Sequence, residues 1–145
     1  MKSRVQTRLP AGSLVFVGGA LGALARGLLD DAAGSTNAFG IGVSTAFVNV
    51  VGAFFMGVLV TTWAARRGPN PRWDRAKILL GSGFLGAFTT YATFALAMAR
   101  ATLDGVYLSL FAGAGVVVAG LIGVWLGVLI SRPRASLANS EGGSQ

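Results

Sequence analysis

Residues 40–63 read GIGVSTAFVNVVGAFFMGVLVTTW, a run without one charged side chain. A helix rises about 1.5 Å per residue, so about 20 such positions cross a hydrocarbon core of about 30 Å. A barrel strand alternates apolar and polar positions over about 10 residues; this run is apolar on every side and too long for that. In lipid each backbone N–H and C=O must be satisfied, and a helix does so within itself. The stretch therefore reads as a transmembrane helix. Working outward, residues 13–29, 78–99 and 106–130 read the same way, the first being the shortest. Arg26 is the only charged residue inside the four stretches. The expectation is an all-α integral membrane protein of four helices, with the third expected to be broken. Residues 1–12 form an N-terminal arm, 13–130 the transmembrane domain and 131–145 a disordered tail, Ser/Gly/Asn-rich after Pro133. Arg66 to Lys77, with Gly68, Pro69 and Pro71, reads as the central loop. No internal repeat is visible.

Composition agrees. The 145 residues make one domain. Only 12% are charged against 53% hydrophobic, where a soluble domain carries about 25% charged residues. The chain has no cysteine and no histidine, which removes disulfides, thiolate chemistry, the common zinc sites and histidine acid–base catalysis. Lys2, Arg4 and Arg8 before an apolar run ending Ala23-Leu24-Ala25 look like a secretory signal with its cleavage site. Gly18, Gly19 and Gly22 in that run suit helix packing better, and cleavage would leave three helices.

The formal charge of +7 speaks first of topology. With the N-terminus inside, the cytoplasmic side holds Lys2, Arg4, Arg8, Arg66, Arg67, Arg72, Arg75, Lys77, Arg132 and Arg134, and the outside only Arg100. Lys/Arg excess marks the cytoplasmic side, so both termini are expected in the cytoplasm. The charge serves orientation and attraction to anionic lipid; nucleic acid is not an expected partner.

Polar residues within the spans are the candidates for function. Arg26 costs several kcal/mol at mid-membrane. It either snorkels to the interface with Asp30 one turn on, or stands as a fixed cation beside an anion path. Thr45 and Asn49 lie i, i+4 on one face, continued by Ala53 and Gly57. Asn49 is either glue between helices or an amide donor lining a pore. The third stretch crowds Gly81, Gly83, Gly86, Thr89, Thr90, Tyr91, Thr93 and Phe94 into fourteen residues. That is a small-and-aromatic packing stripe, or a helix that breaks. Broken backbone survives in a membrane only where protein or a cavity satisfies it, and free carbonyls there would form a small-cation site.

Taken together, Gly18-Gly-Ala-Leu-Gly-Ala-Leu-Ala-Arg26, Thr45-Ala-Phe-Val-Asn49-Val-Val-Gly52-Ala-Phe-Phe-Met-Gly57 and Gly83-Phe-Leu-Gly86-Ala-Phe-Thr89-Thr90-Tyr91-Ala-Thr93-Phe94 resemble the CrcB/Fluc family of fluoride channels, over residue 13 to about 130. The resemblance implies a dimer of antiparallel subunits in the bacterial inner membrane, with two pores each lined by both chains, passively exporting fluoride. By position Asn49 resembles the pore asparagine, and Tyr91 and Phe94 the two aromatics whose ring edges face the ion. Gly86 and Thr89 resemble the residues whose carbonyls hold a structural sodium ion. Arg26 resembles the helix-one arginine and Thr45 a vestibule residue; Thr90 and Thr93 are counted with the pore lining. The chemistry is consistent. A strongly hydrated anion needs donors such as Asn N–H, Thr O–H and Tyr O–H. Aromatic edges are positive without a trapping charge, and sodium suits hard carbonyl oxygens.

Two departures stand out. Ala95, Leu96 and Ala97 follow the second aromatic where a glutamate is usual. The middle of the fourth stretch is Gly113-Ala-Gly-Val-Val-Val-Ala-Gly120, without the usual tyrosine and serines; only Tyr107 and Ser109 lie near its start. One pore lining therefore reads as degenerate. Three classes remain: a fluoride channel subunit, a small proton-coupled multidrug exporter, and a non-conducting assembly subunit of a heterodimeric channel. An exporter needs a membrane carboxylate, and none lies deeper than Asp30. No nucleophile–base pair is readable, so an enzyme is not expected. The ten-to-one Lys/Arg imbalance favours one orientation of insertion, and hence a partner that is an oppositely oriented paralog rather than a second copy.

Overall fold

A computed structural model describes residues 10–34, 37–38, 41–66, 68, 70–103 and 108–132. Helix α1 spans Ala11–Ala33, and α2 spans Val43–Ala64. Between them β1 (Asn37–Ala38) and β2 (Ile41–Gly42) form a two-residue antiparallel ladder, Asn37 opposite Gly42. Then come α3 (Pro71–Lys77), a π-helical stretch (Ile78–Leu85), α4 (Gly86–Phe88), α5 (Tyr91–Leu103) and α6 (Leu108–Ser131). Among the described residues, four helical segments are long and apolar enough to cross a membrane: Ala11–Ala33, Val43–Ala64, Pro71–Arg100 and Leu108–Ser131. This is a multi-pass membrane protein. Four crossings return the chain to the side on which it began.

The helices outrun the apolar stretches. Residues 71–77 lie in the segment read as loop, yet they are helical. Asn70 caps them, its side chain accepting the Arg72 N–H at 3.1 Å, and Pro71 occupies the first turn. Proline suits that position because its missing N–H would have no partner there. Hydropathy cannot see a helix whose first two turns are polar. The same holds at the end of α1, where Asp30 and Asp31 remain helical before Gly34, at φ +58°, stops it.

Bare backbone decides the packing. α1 lies against the π-helical stretch and α4, while α2 lies against α6. A side chain on Gly18 would strike the Leu79 carbonyl, and one on Gly22 the Phe84 carbonyl. At the other interface Gly57 meets the Val124 carbonyl and Gly127 the Phe54 carbonyl. Small residues a turn apart let helices approach to backbone contact, which is how association proceeds in lipid without a hydrophobic drive. The π-helical stretch, with its Gly86 N–H reaching the Gly81 carbonyl five residues back, widens the turn where α1 docks.

Among the described residues the apolar core of the single chain is small: Val48, Leu85 and Phe88. Phe16, Leu28, Phe111 and Ile130 are each more than 60% exposed. In water that surface would be an aggregation hazard; in a bilayer it is what lipid or another subunit covers.

Candidate functional site

The third span is interrupted in its middle. α4 ends at Phe88, Thr89 is extended at φ −76°, ψ 153°, and Thr90 lies outside any helix before α5 begins. Threonine offers the backbone an alternative to the helical ladder. Thr89 places both its N–H (3.1 Å) and its hydroxyl (2.9 Å) on the Leu85 carbonyl. Its methyl group sits where a side chain on Gly52 would be, so a glycine three residues after Asn49 lets α2 receive the interruption. The stacked rings of Phe84 and Phe88, 5.7 Å apart, lead into it.

Asn49 holds Thr90 from α2. The Thr90 N–H donates to Asn49 Oδ1 at 2.9 Å, and Asn49 Nδ2 donates to the Thr90 carbonyl at 3.0 Å. In an uninterrupted helix that N–H would go to Gly86, four residues back; it goes to Asn49 instead. The Thr90 hydroxyl accepts the Thr93 N–H at 3.2 Å and donates to the Thr93 hydroxyl at 3.1 Å. Thr90 is thus the cap that restarts the helix as α5. An asparagine amide carries two donor hydrogens, and one is engaged by Thr90, which leaves one.

Beside this clamp lies a cavity of about 260 Å³ lined by Asn49, Thr89, Thr90, Tyr91, Phe94, Val116 and Val117. Five residues singled out in the sequence therefore meet at one place. Four others stand apart from its lining. Thr45 is buried one turn before Asn49, and Thr93 is exposed and occupied with Thr90. Gly86 is exposed at the start of α4. Arg26 is half-buried on the Gly18–Gly22 face of α1, by its spacing of four, and its Nε is buried without a hydrogen bond among the described residues. The opposite wall is Val116 and Val117 of α6; in the sequence, two valines in an apolar run carry no signal of facing a polar group. Tyr91 is 82% exposed, so the cavity opens on its side. Among the described residues no cluster of three His, Cys, Asp or Glu side chains could hold a metal ion.

A family model described as "CrcB-like protein, Camphor Resistance (CrcB)" matches residues 13–128. The chain belongs to the CrcB family. Relatives within it are named fluoride-specific ion channels. One, FluC 2 of Leifsonia xyli subsp. xyli, is 41% identical over 106 residues, covering 73% of this chain and 68% of its own length. FluC of Novosphingobium aromaticivorans is 40% identical over 128 residues, covering 86% and 98%. FluC of Solibacter usitatus is 35% identical over 120 residues, covering 82% and 96%. The CrcB match reaches into all four spans and includes the whole of the Asn49–Thr90 clamp.

Proposed function

We propose that this chain is a subunit of a fluoride-specific ion channel that lets fluoride leave the cytoplasm passively and so limits its toxicity. The observation that carries the reading is the convergence of the Asn49 amide and the Tyr91 and Phe94 rings on one cavity beside an interrupted span. The remaining Asn49 N–H replaces a water of the anion's hydration shell, and the ring edges add positive quadrupole charge without a site deep enough to trap the ion. Arg26 supplies a fixed positive charge along the route, and Thr45, Thr90 and Thr93 supply hydroxyls at its flanks. These residues support a channel reading, as donors and ring edges for an anion. The proton-coupled exporter finds no support, since the four apolar stretches contain no carboxylate.

The interruption suits a structural sodium ion. Diverting the Thr90 N–H to Asn49 leaves the Gly86 carbonyl without its regular helical donor, and hard carbonyl oxygens of Gly86 and Thr89 are the donor type sodium prefers. When bound there it would supply a fixed positive charge that holds the break open.

The open side of the cavity, with Tyr91 so exposed, supports completion by a second, antiparallel subunit. The Lys/Arg imbalance favours a paralog of opposite orientation over a second copy, with this chain's termini in the cytoplasm of the bacterial inner membrane. The valine wall fits such a division of labour, and a strictly non-conducting assembly role is its extreme form. Fluoride efflux from proteoliposomes tests the reading, with the chain alone and with a paralog. Absence of fluoride-selective efflux in both preparations refutes the channel; efflux from the chain alone refutes the need for a paralog.

A further inference from the structure

A second cleft, of about 280 Å³, lies at the far end of α2 from β2 and is lined by Trp63, Arg66, Gly68, Asn70, Trp73, Asp74 and Lys77. It is too large for a packing defect that one water would fill. Its walls are placed by local structure. Trp63, in the last turn of α2, lies over the bare backbone of Gly81, 3.5 Å from the position a side chain there would take. Gly68, at φ +87°, turns the chain back, and the Asn70 cap starts α3 on the other side. The Arg66 guanidinium stacks on the Trp73 ring, 3.4 Å from its centroid. That stacking orients the planar fork while leaving its N–H edge open. Lys77 adds a point cation, and Asp74 is the one carboxylate in the lining.

The cleft sits where one apolar span ends and the next begins. At about 1.5 Å per residue the helix from Val43 to Ala64 just covers a core of about 30 Å, which puts Trp63 and Arg66 at the level of lipid headgroups. Tryptophan favours that level. Two cations against one carboxylate select an anion, and an Arg fork beside a Lys is the donor set for a phosphodiester. We propose that this cleft binds the phosphodiester headgroup of an anionic phospholipid, with Arg66 as the bidentate contact and Lys77 as its electrostatic partner. Asp74 and the Asn70 amide are left to meet the hydroxyls of a polyol headgroup. The inference is independent of what the protein conducts.

Native mass spectrometry of the full-length protein released from detergent tests it, with phosphatidylglycerol, phosphatidylcholine and inorganic phosphate as probes. Phosphatidylglycerol should bind about fivefold more tightly than phosphatidylcholine, and Arg66→Gln or Lys77→Gln should each remove about that factor. Arg66→Lys keeps the charge but loses the fork, and should weaken binding as well. Arg72→Gln removes a charge from the same loop outside the cleft, and should have the smaller effect. If Arg72→Gln matches Arg66→Gln while Arg66→Lys behaves as wild type, the attraction is diffuse and the site is refuted. Equal binding of the two lipids, or displacement of phosphatidylglycerol by inorganic phosphate, refutes the headgroup as ligand. Should the Arg66 variants not fold, Lys77→Gln against Arg72→Gln makes the same comparison.

Discussion

Replacing Asn49 by alanine removes two things at once, and they can be read separately. The first is the clamp. Two hydrogen bonds to the Thr90 backbone are lost, each worth about 1 kcal/mol net, so the folded state should lose about 2 kcal/mol. The Thr90 N–H is then free to return to Gly86, which would carry the helix through the interruption and shift Tyr91 and Phe94. The second is the donor toward the anion. A hydrogen bond to a charged group is worth about 1.5–3 kcal/mol, and each 1.36 kcal/mol is a factor of ten in rate, so flux should fall roughly 10- to 100-fold. The two assays read the two losses separately. Asn49→Asp keeps an acceptor for the Thr90 N–H but sets a carboxylate against the Thr90 carbonyl and in the anion's path, so flux should vanish and stability should fall further than in Asn49→Ala. The assays are fluoride efflux from proteoliposomes, in the subunit composition that conducts, and denaturation in detergent followed by circular dichroism. Wild-type flux in Asn49→Ala refutes the path. Lost flux with unchanged stability refutes the clamp as a structural element.

Tyr91→Ile and Phe94→Ile keep apolar bulk but remove the ring edge, and flux should drop sharply in each while the fold survives; Tyr91→Phe should be mild, and unchanged flux in both Ile variants removes the rings from the path. Gly22→Ala drives a methyl into the Phe84 carbonyl and should cost about 1–3 kcal/mol or more by overpacking, whereas Gly12→Ala, with open space around it, should leave denaturation in detergent unchanged. A topology reporter at the C-terminus should label from the cytoplasmic side alone, because the Lys/Arg imbalance sets the orientation; substantial labelling from both sides would make a homodimer sufficient.

The four spans were legible in the sequence because crossing a bilayer is a local property: it needs only an unbroken apolar length, and the charges fall between such lengths by necessity. Family membership was legible for a related reason, since Thr45–Gly57 and Gly83–Phe94 each carry their polar residues at short, fixed spacing. The helical turn 71–77 was not, because its polar surface hides it from any hydropathy count and its stability comes from the Asn70 cap and the proline. Nor could the sequence choose between Asn49 as glue and Asn49 as lining. Only the tertiary structure shows its amide grasping a backbone 41 residues away, because an asparagine's partner is set by which helix lies opposite, and that depends on Gly52 making room for Thr89. The same holds for Val116 and Val117: a run of valines looks alike on every side, and only the packing of α6 against α2 turns two of them toward the cavity.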